Sequence, residues 1–187
     1  DYPTVPMKDI VANVNLDMPL FLYPLADVVA FGAEHSSLES HVEQAAHRAG
    51  LKLSPDPMPE EVLFVRSDQY PFVRKGVPAV FFVPGFQSSD PTVDAGRIFT
   101  SFLQTHYHKP SDDLSLPVDG PSVEAFTLAN YYLIRSIADA DERPRVQAPE
   151  GEDLEEDGRR PGAPPLRPGP PPGRGRHRPR APGRRPA

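Results

Sequence analysis

The sequence predicts an α/β domain, a sheet with helices on both faces, on three observations. Short apolar runs rich in β-branched and aromatic residues recur at residues 10–16, 28–32 and 77–83, bounded by Gly, Pro or Asp. Helical periodicity lies between and after them, at residues 38–49 and 121–141. Strands that alternate with helices build a sheet covered by helices.

Taken in order, residues 10–16 end at Asp17-Met18-Pro19 and read as a buried strand with Asp17 at its C-terminal mouth. Residues 28–32 read as the next strand. Ser36-Ser37-Leu38-Glu39 has a capping-box pattern, Ser36 to Glu39. Leu38, Val42, Ala45, Ala46 and Ala49 then form one apolar stripe, which Gly50 stops. Proline and acidic residues mark 53–61 as a loop. Ser67 or Asp68 is expected to cap a short helix through Val73 and Arg74 to Gly76. Residues 77–83 form a further strand, with Pro78 near its start where a missing N–H is tolerated. A polar loop at 85–94 leads to a helical stretch at 95–104, weakened by Gly96. Pro121 suits a first helical turn, and Val123, Phe126, Leu133, Ile134 and Ile137 mark one face of a helix that reaches about Asp141 before Pro144.

Composition divides the chain near Val146. Residues 1–146 carry 11 Lys+Arg against 20 Asp+Glu, and residues 147–187 carry 9 against 6, so the net charge of −6 joins an acidic part to a basic one. The acidic globular part argues against a specific nucleic-acid partner. Residues 147–187, rich in Pro, Gly and Arg, contain too few apolar residues to offset roughly 1–2 kcal/mol of backbone entropy per residue, and are expected to be a disordered tail. Without cysteine, no thiolate serves as nucleophile or ligand. No apolar run is long enough for a transmembrane segment. The chain opens at Asp1 inside what reads as a folded segment, and is expected to be a fragment.

Three segments hold residue types that zinc accepts or that line polar clefts: Asn15-Leu16-Asp17, Arg66-Ser67-Asp68-Gln69-Tyr70-Pro71-Phe72 and Tyr107-His108-Lys109-Pro110-Ser111-Asp112-Asp113. Each is weak alone. An aspartate after a strand is more often a turn residue than a ligand. His35, His41 and His47 lie beside polar residues and read as solvent-facing. His106, two residues before His108, completes a His-x-His pair and competes with it on spacing alone. Asp112 or Asp113 could orient the His108 imidazole or cap a turn, and the residues favour neither reading.

Jointly and in this order, with Gly32-Ala33-Glu34-His35-Ser36-Ser37-Leu38 and Lys75-Gly76-Val77-Pro78-Ala79 between them, these segments resemble the C-terminal half of the di-zinc aminopeptidase family, whose relatives include bacterial leucine aminopeptidases and glutaminyl cyclases. The resemblance covers about residues 1–141. It implies a partial mixed β-sheet of the zinc exopeptidase-like fold, and a peptidase that removes N-terminal residues from peptide substrates by a metal-activated water. It also implies two zinc ions in the complete domain, sharing a bridging carboxylate. By the same resemblance Asp17 binds one zinc, His108 binds the other, Tyr107 donates to the oxyanion, Arg66 and Asp68 orient the substrate, and Asp112 supports His108.

The family's His-x-Asp and Glu-Glu segments, which precede the Asn-x-Asp strand, are not in this sequence. Glu60-Glu61 comes after Asp17 and does not replace them. The chain alone is therefore expected to be inactive. A non-catalytic binding or receptor domain and a glutaminyl cyclase-like enzyme are the alternatives. Relatives imply an extracellular, periplasmic or membrane-anchored location.

Overall fold

The computed structural model describes residues 4–147. The expected disordered tail lies outside the described residues, apart from Gln147. After a 3₁₀ turn at Met7–Asp9 come β1 (Asn13–Asn15) and β2 (Asp27–Phe31). Then follow a 3₁₀ turn at Ala33–His35, α1 (Leu38–Arg48), β3 (Lys52–Ser54) and a 3₁₀ turn at Pro59–Glu61. The chain continues through α2 (Leu63–Arg66), α3 (Tyr70–Val73), β4 (Ala79–Pro84), α4 (Ala95–Thr105) and α5 (Gly120–Ala138).

The strands form one mixed sheet in the order β1-β4-β2-β3. β1 runs parallel to β4, β2 runs antiparallel to β4, and β3 runs parallel to β2. The α/β reading holds. β2 and β4, the two inner strands, are buried at every residue, which is why they read as continuous apolar runs.

Side-chain alternation divides the core in two. Val28, Ala30, Val80 and Phe82 face one side, where they meet Leu38, Val42, Ala45 and Ala46 of α1 and Phe126, Ala129 and Leu133 of α5. The Phe82 and Phe126 rings stack at 5.4 Å. Val29, Phe31, Phe81 and Val83 face the other side, covered by Leu63, Phe64 and Phe86.

Several boundaries differ from the sequence reading. β1 is shorter than 10–16, because Ile10 still donates to Met7 in the preceding turn and only Asn13–Asn15 find partners on β4. Within the expected loop at 53–61, β3 and a 3₁₀ turn form. A three-residue edge strand takes its register from β2 and needs no periodicity of its own.

The capping box of Ser36 and Glu39 does not form. Ser36 Oγ instead accepts the Leu38 N–H, and Ser37 occupies the cap position, held by Arg145 through both its N–H and its hydroxyl. Ser67 does not cap α3, because its hydroxyl donates back to Leu63 C=O, and the cap position belongs to Gln69. On α5, Ile134 is 50 % exposed, whereas Ala129 and Asn130 are buried with Phe126, Leu133 and Ile137. His41 is part-buried and bonded to Ser136 Oγ at 3.0 Å. Asp94 and Asp119 cap α4 and α5 through the N–H groups of Arg97 and Ser122.

Residues 143–147 return across the start of α1. Ser36 and Val146 form an antiparallel bridge, Gln147 N–H donates to His35 C=O, and the Arg143 guanidinium donates to Ile10 C=O. Among the described residues no helix is long and apolar enough to cross a membrane.

The turn after β4 has no spare volume. A Cβ at Gly85 would lie 2.1 Å from Asp27 Oδ1 and 2.6 Å from the Asp27 backbone carbon. Gly85→Ala is therefore expected to destabilise the fold by about 2–3 kcal/mol, read as a lowered urea midpoint. An unfolding free energy within about 0.5 kcal/mol of wild type, on the order of an unremarkable surface change, would contradict this close approach.

Candidate active site

On the α2 side of the sheet, beyond the C-terminal end of β1, lies a cavity of about 500 Å³. Its floor is apolar, with Phe31, Phe81 and Val83 from the sheet and Phe86, Phe99 and Leu103 beside them. Its rim carries Asp17, Glu61, Arg66, Asp68 and Tyr107. Three carboxylates against one guanidinium leave the rim with two net negative charges, a field that favours cationic groups.

Each rim residue arrives there for a local reason. β1 is held parallel to β4, with Asn15 opposite Phe81, so Asp17 emerges two residues past the strand. Met18 follows in a left-handed conformation, φ 48°. Arg66 ends α2, and Asp68 lies in the short link to α3. The Arg66 guanidinium donates to the Glu61 carboxylate at 3.3 Å and to the Glu61 C=O at 3.2 Å. Both side chains of that pair are more than half exposed, so the ion pair contributes little to stability.

The wall from 61 to 69 is pinned from behind. The Phe64 ring fills the space over Gly32, where a Cβ would lie 2.0 Å from it and where φ is 81°. Only glycine suits both conditions. Val62, the hinge into α2, is also left-handed at φ 50°, a conformation costly for a β-branched residue.

Tyr107 follows the end of α4 and turns its ring toward the cavity. His108 is the third non-glycine residue with positive φ, 57°. It does not line the cavity. Its exposed imidazole stacks on the Tyr107 ring at 3.8 Å. His106 is occupied elsewhere: its Nδ1 lies 2.9 Å from Ser111 C=O, which can only accept, so that nitrogen carries the proton.

Asp112 is exposed, its N–H donates to Lys109 C=O, and its carboxylate makes no hydrogen bond to His108 among the described residues. Asp113 caps the following turn, and its bonds from Ser115 hold its carboxyl below the usual range. The structure thus brings Asp17, Arg66, Asp68 and Tyr107 to one cavity, sets His108 at its margin and leaves Asp112 in solvent.

A model of peptidase family M28 matches residues 2–134, nearly all of the described fold and every residue of the cavity. The chain belongs to peptidase family M28. The family is one of metallopeptidases, generally zinc-dependent. Comparison with curated proteins and with solved structures returned no match.

Catalytic zinc normally takes three protein ligands. Among the described residues no three His, Cys, Asp or Glu side chains converge on a point that could hold a metal ion. Asp17 and His108 have the right donor chemistry, but the described residues do not by themselves complete a zinc site.

Two polar residues, one lining the cavity and one behind it, had no sequence signal beyond being polar within apolar surroundings. Asp27, 1 % exposed, accepts the Gln87 N–H at 2.8 Å and so fixes the turn that carries Phe86. Tyr23 lines the cavity and donates to Gly85 C=O at 2.8 Å. Burial, with the nearby Asp27 carboxylate adding to it, pushes the Tyr23 hydroxyl up to about 12.

The folded state holds that proton more tightly than the unfolded chain, whose tyrosine titrates near 10. Its contribution is therefore fully present below about pH 10 and is lost as the pH rises toward 12. Urea titrations between pH 9 and 12 (about the range set by those two values) should show stability falling with pH. The fall should be shallower in Tyr23→Phe, and an equal slope in both proteins would contradict the assignment.

Proposed function

We propose that this chain is the peptide-binding part of a zinc-dependent aminopeptidase, and that it supplies Asp17 and His108 as one ligand each to a two-zinc centre. The observation that carries this reading is the single cavity that joins an acidic rim to an aromatic floor. A peptide's free N-terminal ammonium suits the two net negative charges at the rim. The side chain beside it suits the Phe31, Phe81 and Phe86 surface, which favours a large apolar residue. Asp68 accepts from the ammonium, Arg66 donates to a substrate carbonyl, and Tyr107 donates where the carbonyl oxygen gains charge. An oxyanion donor of this type contributes about 3 kcal/mol.

The remaining ligands and the general base lie outside the described residues in this reading. A non-catalytic peptide-binding domain would keep the cavity without turnover, and the incomplete ligand set among the described residues favours that second reading. The same assay separates the two.

In the complete catalytic domain, Asp17→Ala and His108→Ala should each abolish chelator-sensitive hydrolysis of leucine p-nitroanilide, and Tyr107→Phe should lower kcat about 100-fold. Chelator-sensitive turnover that survives Asp17→Ala would sink the ligand assignment. Leucyl substrate should exceed glycyl substrate in kcat/KM by about 10–200-fold, and equal rates would argue that the floor does not read the side chain. Calorimetry on the present chain should detect no sub-micromolar zinc binding. Tight binding would show that its own residues suffice.

A further inference from the structure

Gln69 is among the largest fully buried side chains, 0 % exposed, and it touches nothing that could be substrate. Both ends of its amide are used. Oε1 accepts from Asn15 Nδ2 at 3.1 Å, and Nε2 donates to the Phe64 C=O. Asn15 is the last residue of β1, two before Asp17, and Phe64 stands in α2, two before Arg66. Asp68 is the chain neighbour of Gln69 itself. One amide thus spans the gap between the strand that delivers Asp17 and the wall that delivers Arg66 and Asp68.

An amide matches both partners. The Phe64 carbonyl needs a donor, and the Asn15 NH2 needs an acceptor. An uncharged carboxamide offers the two from separate atoms of one side chain, and Gln reaches further than Asn. The Gln69 side chain is itself closed to solvent, while its partners Asn15 and Phe64 are half-buried. The wall is also attached through Leu63 and Phe64, which pack on Val29, Phe31, Phe81 and Val83. Its entry at Val62 opposes its own backbone preference and its ion pair is exposed, so its side-chain hydrogen bond to β1 comes from this amide.

We propose that Gln69 is a positioning residue, which couples the Asp17 end of β1 to the substrate-orienting wall of residues 61–69. It holds the two halves of the rim in register and does not touch the substrate. The coupling stands on the geometry alone, while its consequence for turnover rests on the aminopeptidase reading.

Hydrogen exchange reads the coupling without turnover. Gln69→Met keeps the volume and removes both bonds. It should speed exchange about ten-fold at the Tyr70 amide, which donates to Ser67 in the wall, and at the Asn13 amide, which donates to Pro78 beside β1. Amides of the buried residues Val42 and Leu133 in α1 and α5 should be unchanged. Asn15→Ala alone should speed the Tyr70 amide several-fold, and adding it to Gln69→Met should speed that amide no further. A uniform rise across α1 and α5 would mark a merely structural role and overturn the proposal. So would an unaltered Tyr70 amide in Asn15→Ala, or effects of the two changes that multiply.

In the complete catalytic domain, Gln69→Met should also lower kcat/KM for leucine p-nitroanilide at least ten-fold, and an unchanged value would overturn the positioning role. If the unaltered domain does not hydrolyse that substrate at all, the aminopeptidase reading fails and the exchange pattern still decides the coupling.

Discussion

The pairing of β1 with β4 is the contact on which the site depends. Three residues, Asn13, Val14 and Asn15, lie opposite Ala79, Val80 and Phe81, and that short parallel ladder alone carries Asp17 to the end of the sheet. A slip of one residue would turn Asn15 away from Gln69 and send Asp17 to the opposite face, since strand side chains alternate. What prevents the slip is mostly β4. All six of its residues are buried between two unlike apolar layers, and each layer accepts only one phase of the alternation.

Those layers divide the work. The α1–α5 side is close-packed, with Leu38, Val42, Val80 and Phe82 wholly enclosed, and it supplies a rigid back. The other side is thinner. Val29, Phe31, Phe81 and Val83 are covered only by Leu63, Phe64 and Phe86, and the uncovered remainder of that surface becomes the cavity floor. The same β-branched and aromatic alternation therefore makes core on one face and a ligand-sized recess on the other.

Much of this was legible in the sequence, and the failures have physical causes. β2 and β4 announce themselves because, Asp27 apart, these inner strands are apolar, and α1 because its stripe is regular. β3 did not, since three residues carry no period and its partner decides it. Ser36 offered a capping box that the returning segment at Arg145 and Val146 pre-empted. Ile134 fell on the wrong side of α5 because it adjoins Leu133, and adjacent helical residues point about 100° apart.

Asp17, Arg66, Asp68 and Tyr107 were singled out through the family resemblance of their segments, and all four line one cavity. His108 was located by the same motif but sits at the margin. Gln69 was legible only as one letter of a motif. Its burial and its two partners are tertiary facts.

The left-handed valine at position 62 has a further meaning. A branched residue held at φ 50° stores on the order of 1–2 kcal/mol against its own preference, and the packing of Leu63 and Phe64 beside it offsets that cost. Such an element is adjustable. Asn or Gly at that one position would relax it without disturbing any packed layer, since Val62 is half exposed.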